Sequence, residues 1–239
     1  VITALPRAAW LAGAIGLLLS GCADRVTGTS PKFTTSANGL GEFNVPVASI
    51  LARKFATVIR QQYDFSCGSA ALATLLHYHY GLPRSESDVF LGMWREGDKT
   101  QIRKVGFSLL DMKRYLAENG LRADGYRVSL DAIAKRRLPG VALVTIKGYR
   151  HFVVVKGVTD SEVLVGDPSL GLRKLPRAEF EASWNGVYFV LNSAPDVGQR
   201  NFNGVQQWRA LARGPVDGPF LEPLSQQALN LTAPFYRDF

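Results

Sequence analysis

The hydrophobic pattern changes character half-way along the chain. Positions 68–80 carry Ala70, Ala71, Leu72, Ala73, Leu75 and Leu76 without a proline and stop at Gly81-Leu82-Pro83, which predicts a helix ended by glycine. A second helix is predicted over 87–94. Ser108 followed by Asp111 has the spacing of a capping box and opens an amphipathic helix that ends at Asn119-Gly120. A short helix from Ser129 to about Arg137 precedes Pro139-Gly140. Beyond it, positions 141–146, 152–155 and 162–165 are apolar and β-branched, separated by Lys147-Gly148-Tyr149-Arg150 and Thr159-Asp160-Ser161. Such runs predict strands with hairpin-like connections. Further strands are predicted over 172–175 and 187–191, with a short helix over 178–184 between them. Helices followed by an antiparallel sheet make an α+β domain. Positions 44–60 hold apolar residues without a clean period and carry no prediction.

The amino-terminal end has a different composition. Arg7 is the only charge before Asp24, and it precedes an apolar stretch over 8–19 that two glycines interrupt. A positive region followed by an apolar one of this length is the pattern of an export signal, short for a membrane span. It ends in Leu19-Ser20-Gly21-Cys22, which resembles the bacterial lipoprotein box. That resemblance implies cleavage before Cys22, lipidation of its sulfur, and an exported, periplasmic protein anchored to the inner or outer membrane. The expected organisation is therefore a signal peptide over 1–21 and a flexible Thr/Ser/Gly/Asn/Pro tether over 22–42. A folded domain over 43–192 follows, then an irregular extension over 193–239 with one short helix near 206–212.

Composition adds limits. With 239 residues, 46% hydrophobic and 20% charged, the chain has material for one core with extensions. The net charge of +8 suits an anionic partner in principle. Yet the densest basic run, Lys135-Arg136-Arg137, has the length of a helix end, and no nucleic-acid module is present, so no nucleic-acid partner is expected. The lipoprotein reading uses one of the two cysteines. It leaves Cys67 as a lone thiol in an oxidising compartment, either a small buried hydrophobe or a nucleophile.

The neighbourhood of Cys67 favours chemistry. The residue stands where a loop enters the predicted helix, and a helix N-terminus presents unpaired N–H groups that favour a thiolate. Gly68 and Ser69 are small, which leaves room for substrate. A thiol nucleophile needs an imidazole. The chain has three histidines, of which His77 and His79 lie ten and twelve residues along the same helix. That is about 15 Å away, beyond hydrogen-bond reach. His151 remains, at the start of a strand, where alone it also reads as a hydrogen-bonded edge residue. Asp167 ends the next strand before Pro168 and either orients an imidazole or closes a turn; Asn185 is a weaker orienter. An oxyanion would take the Cys67 N–H plus an amide from Gln61 or Gln62. One mature thiol and three dispersed histidines give no metal-ligand spacing, so no metal and no cofactor are expected.

The stretch Gln61-Gln62-Tyr63-Asp64-Phe65-Ser66-Cys67-Gly68, with Ala71 and Leu72 following, resembles the bacteriocin-processing (double-glycine leader) cysteine peptidases of the papain-like clan. Their motif is a glutamine six residues before a Cys-Gly pair that opens a helix. His151 with its apolar strand, then Asp167-Pro168, is similar to that family's second and third motifs. The resemblance spans about residues 60–191. It implies a papain-like α+β core with Cys67 as nucleophile, His151 as base and acid, Asp167 as orienter and Gln61 as oxyanion donor. Ser66 departs from the family, which usually has an acid before the nucleophile. The best-known members also carry transporter domains and act on the cytoplasmic side, whereas these 239 residues hold no Walker motif and begin with an export pattern. The free-standing, exported subgroup, which includes the peptidase of bacterial functional-amyloid secretion systems, matches better. It implies a polypeptide substrate, an exported amyloid or secretion-system component. Two readings compete: a cell-wall peptidase or amidase of related lipoproteins, and a non-catalytic assembly or chaperone module that holds an extended strand in its cleft.

Overall fold

A computed structural model of the chain describes residues 32–35, 43–46, 49–146 and 148–211. The expected signal peptide, Cys22 and positions 212–239 lie outside them. The chain divides into two units, Val1–Ser49 and Ile50–Phe239. In the first, β1 (Lys32–Thr35) pairs antiparallel with β2 (Phe43–Pro46), Lys32 opposite Pro46. β1 thus stands within the stretch read as a tether.

The second unit begins with α1 (Ile50–Lys54), α2 (Cys67–Tyr80), α3 (Glu86–Glu96), α4 (Lys99–Val105) and α5 (Leu109–Glu118). There follow β3 (Ala123–Arg127), α6 (Leu130–Arg136), β4 (Gly140–Ile146), β5 (Tyr149–Val158), β6 (Glu162–Asp167), β7 (Gly171–Pro176), α7 (Arg177–Ser183) and β8 (Trp184–Leu191). Two short helices, α8 (Pro195–Arg200) and α9 (Val205–Ala210), close the described part. The strands form one antiparallel sheet in the order β3-β8-β4-β5-β6-β7.

α2 is the central helix. Its apolar residues do not form a stripe, and accordingly it is buried on nearly every side, with His77 its exposed residue. It stops where Gly81 takes φ 65°, a left-handed conformation that glycine adopts without strain, and donates its N–H to Leu76 O. The expected capping box of Ser108 with Asp111 forms at α5, and a second, Ser85 with Asp88, opens α3. Leu72, Leu75 and Leu76 pack with Phe152, Val154 and Phe189 of the sheet. The alternate strand residues Val153, Val155 and Val165 face away, against Leu130 and Ile133 of α6 and Phe180 of α7. A sheet covered on both faces explains why the run 152–155 is apolar without alternation. This is the expected α+β arrangement of N-terminal helices on an antiparallel sheet.

The extension after β8 begins as structure. Asn203 donates its N–H to Lys156 O at 2.9 Å and its side-chain amide to Val158 O at 3.0 Å. A Cβ on Gly157 would lie 2.1 Å from Asn203 Oδ1, so glycine is what admits this loop to β5. Lys156 itself has no exposed surface; it donates to Thr57 O at 2.6 Å and lies 5.3 Å from the Tyr78 ring centre. Burial lowers its pKa to about 7. His79 is equally buried, and desolvation, then the Lys156 charge, hold it well below the ordinary histidine range.

Candidate active site

A tight turn leads into Cys67, the candidate nucleophile. Ser66 Oγ accepts from Tyr63 N–H at 3.1 Å and donates to Tyr63 O at 3.0 Å, closing residues 63–66. The hydroxyl is thereby used within the turn and does not cap α2. Ser69 Oγ lies 2.8 Å from Ser66 O and 3.0 Å from the buried Glu86 Oε1, which pins the first turn of α2 to α3. Cys67 is a free thiol, 6% exposed. Gly68 corrects the sequence reading: its added Cβ would sit 3.1 Å from both Met112 Cε and Phe107 Cβ. Its smallness serves packing beneath the helix, and Ser69 is buried likewise, so neither opens space for substrate.

β5 and β6 are hydrogen-bonded neighbours, and this brings together two residues sixteen apart in sequence. His151 Nε2 lies 2.8 Å from Asp167 Oδ1, with the two residues 5% and 2% exposed. The same Oδ1 accepts from Ser169 N–H at 2.8 Å and Leu170 N–H at 3.1 Å, and Arg173 stands 3.7 Å from Oδ2. Asp167 therefore both orients the imidazole and closes its turn. Burial pushes the His151 pKa down, but the hydrogen bond it donates to Asp167 and the nearby Cys67 sulfur outweigh it and raise the pKa to about 9. Burial works the other way on Asp167; its bonds to His151 and to the Ser169 and Leu170 N–H groups overcome it and keep the carboxyl below its usual value. With Nε2 engaged by Asp167, Nδ1 is the nitrogen left for Cys67. It is buried and without a complete hydrogen bond in this resting geometry, which such sites commonly tighten only on binding substrate.

Gln61 is held at the same turn. Its backbone N–H donates to Pro168 O at 3.1 Å, its Oε1 accepts from Ser169 Oγ at 2.8 Å, and its Nε2 donates to Tyr63 O at 3.0 Å. No bond to Cys67 is present among the described residues, but an amide nitrogen has a second hydrogen to offer. Gln62 points elsewhere, 3.4 Å from Ser87 Oγ on α3. Asn185 is occupied in its own turn, where its Oδ1 accepts from Val187 N–H. Gln61→Ala is expected to slow turnover about 10²–10³-fold, as loss of one oxyanion donor does, and Gln62→Ala to have a small effect. Steady-state rates of the two variants check this; equal losses contradict it.

Tyr149 escaped the sequence reading. It lies two residues before His151 on the same strand, its ring 6.1 Å from the imidazole, and its hydroxyl donates to Asp64 O at 2.8 Å. It thereby ties the start of β5 to the turn that precedes Cys67. The i, i+2 spacing along a strand puts it on the same face as His151. Beside these residues opens a cleft of about 420 Å³, with Cys67 at one side and Phe65, Phe107, Leu143 and Phe152 among its walls.

A family model described as Peptidase C39 family matches residues 56–196 of this chain. The chain belongs to the Peptidase C39 family. The match takes in Gln61, Cys67, His151 and Asp167 and runs from before α2 to the start of α8. The chain is 46% identical over 145 residues to "Probable functional amyloid protease FapD" of Pseudomonas fluorescens. It is 44% identical over 145 residues to the protein of the same name in Pseudomonas aeruginosa. Each alignment spans 61% of this chain and 64% of the relative, so the chain covers a little under two thirds of these relatives' length. It is also 29% identical over 136 residues to the pediocin PA-1 transport/processing ATP-binding protein PedD of Pediococcus acidilactici, 55% of this chain and 17% of that one. Among solved structures, a double glycine motif protease from an AMS/PCAT transporter in complex with the leader peptide is 26% identical with a TM-score of 0.47. That likeness covers 56% of this chain and 89% of the other. The resemblance drawn from the motifs thus holds for the family.

Proposed function

We propose that this protein is a thiol-dependent peptidase that hydrolyses a peptide bond in an exported polypeptide. One observation carries the reading: His151, bonded to a buried Asp167 at 2.8 Å, has its other nitrogen free for the thiol that opens α2. The Cys67 thiolate attacks the scissile carbonyl carbon, and the resulting oxyanion takes hydrogen bonds from the Cys67 N–H and the Gln61 amide. As the C–N bond breaks, His151 gives its proton to the leaving amine, which leaves a thioester on Cys67. Water then attacks the thioester and yields a proton to His151; the new carboxyl end departs, and the thiolate–imidazolium pair is restored. Asp167 holds the imidazole and favours its cation throughout.

The substrate reading rests on the similarity to two proteins named as functional amyloid proteases. It assigns the protein a component of a fibre-secretion system as substrate. Leu19-Ser20-Gly21-Cys22 supports lipidation and a periplasmic, membrane-anchored location. Cys22→Ser is expected to release the protein or leave its signal uncut while the domain's turnover is unchanged. Intact mass of the wild-type protein from cells, with or without acyl chains, decides this. For the activity, exported polypeptides from cells carrying wild type or Cys67→Ala are compared by mass spectrometry. A species shortened only in wild type is expected; identical masses in both overturn the peptidase reading.

A further inference from the structure

The walls of the cleft beside Cys67 are apolar, but its rim is basic. Arg103 and Lys104, in the last turn of α4, and Arg150, at the start of β5, line it from separate elements. Asp64 is the one carboxylate among the residues lining the cleft, so three cations face a single anion. Among the described residues, none of the three cations has a carboxylate within ion-pair distance. Arg103 lies 5.4 Å from the Trp94 ring centre, which restricts its side chain before any ligand arrives. Arg103 and Lys104 also complement the C-terminal end of α4, a role that Arg150, on a strand, does not share. Apolar walls around unpaired cations concentrate positive potential in the cleft.

We infer that this cleft selects polypeptides that carry an acidic side chain within a few residues of the cleaved bond, with Arg103, Lys104 and Arg150 as the recognising groups. The inference rests on the peptidase reading for its place in the reaction, while the selection itself is a binding property. Exposed charge pairs are each weak, and three acting on one carboxylate give about a tenfold preference for Asp or Glu over Asn or Gln at the responsive position. The preference weakens as salt screens the rim.

The test uses the full chain and a peptide library made from a digested proteome. Cleavage sites are mapped by mass spectrometry for wild type, for Cys67→Ala as blank, and for the combined Arg103→Glu, Lys104→Glu, Arg150→Glu variant. The expected result is enrichment of Asp and Glu at one position near the wild-type sites, replaced by Lys and Arg in the charge-reversed variant. Arg103→Gln, Lys104→Gln, Arg150→Gln, which is gentler on folding, is expected to lose the enrichment without reversing it. Sites without acidic enrichment, or enrichment unchanged by reversal, overturn the inference. Retention of library peptides on immobilised Cys67→Ala reads the same preference without turnover. Acid-rich peptides retained there and lost on charge reversal support the selection even if cleavage fails, which would count against the peptidase reading alone. Equal retention of acidic and neutral peptides overturns it.

Discussion

Asp167→Asn is expected to cut kcat/KM by about 10²–10⁴-fold and to move its alkaline limit. Asparagine keeps the size of the side chain, and its Oδ1 still accepts from the Ser169 and Leu170 N–H groups that close the turn. What disappears is the negative charge that favours the imidazolium. Hydrolysis needs His151 protonated to release the amine, so in wild type activity persists as pH rises until His151 titrates near 9. Without the carboxylate, burial is opposed only by Cys67, and the limb moves down toward the ordinary histidine range. The pH profile of kcat/KM, taken beside thermal melts, checks this. A large loss of stability with an unmoved limb and normal specific activity in the folded fraction would reduce Asp167 to a turn acid.

Lys156→Met is expected to raise stability near neutrality and to turn a nearly flat dependence on pH between 7 and 9 into a falling one. The unfolded lysine titrates near 10.5 and the buried one at about 7. Between those values the unfolded chain holds a proton the native one does not, so native stability rises with pH across that window. His151 has the opposite sign. Its native pKa of about 9 exceeds the model-peptide 6.5, so its contribution is complete below 6.5 and is lost as pH rises through 9. In wild type the two slopes oppose each other; in Lys156→Met the falling one stands alone. The lysine displacement amounts to a penalty on the order of 5 kcal/mol on the charged form. Against it stands the lost bond to Thr57 O, worth about 1–3 kcal/mol once that carbonyl is left unpartnered. A net gain of about 2–4 kcal/mol at pH 7 is expected, read from urea midpoints at pH 7, 8 and 9. Lower stability at pH 7 with the wild-type pH dependence retained would mean that the buried amine holds the fold together.

What could be read from the sequence followed from local physics. α2 was legible because an unbroken apolar run ends at a glycine, and β4 to β6 because β-branched runs alternate with turn residues. β3 was not: Asp124 and Gly125 are poor strand formers, and the strand exists because β8 supplies its partner. α1 has no buried residue, hence no apolar face to detect. α8 lies in a segment that reads as irregular, and the bonds from Asn203 to β5 hold the turn after it across the sheet, whereas α9 is the short helix expected near 206–212. The candidate site divides similarly. Cys67 and His151 stood out because few thiols and imidazoles compete, and Gln61 because of a motif. Tyr149, the bond from Ser169 to Gln61, the packing role of Gly68 and the basic rim from α4 depend on neighbours distant in sequence. Spacing along a chain carries no record of those neighbours.

The central claim is that His151 acts on Cys67, and alkylation of Cys67 tests it most directly. Wild type, His151→Ala and Asp167→Asn are exposed to iodoacetamide at pH 6, and modification of the peptide that holds Cys67 is followed by mass spectrometry. The thiolate is the reacting form, so a cationic partner sets its abundance. Wild type is expected to react at least about tenfold faster than His151→Ala at this pH, with Asp167→Asn between them and activity lost in step with modification. Equal rates in all three, or full turnover after Cys67 is modified, would contradict the account.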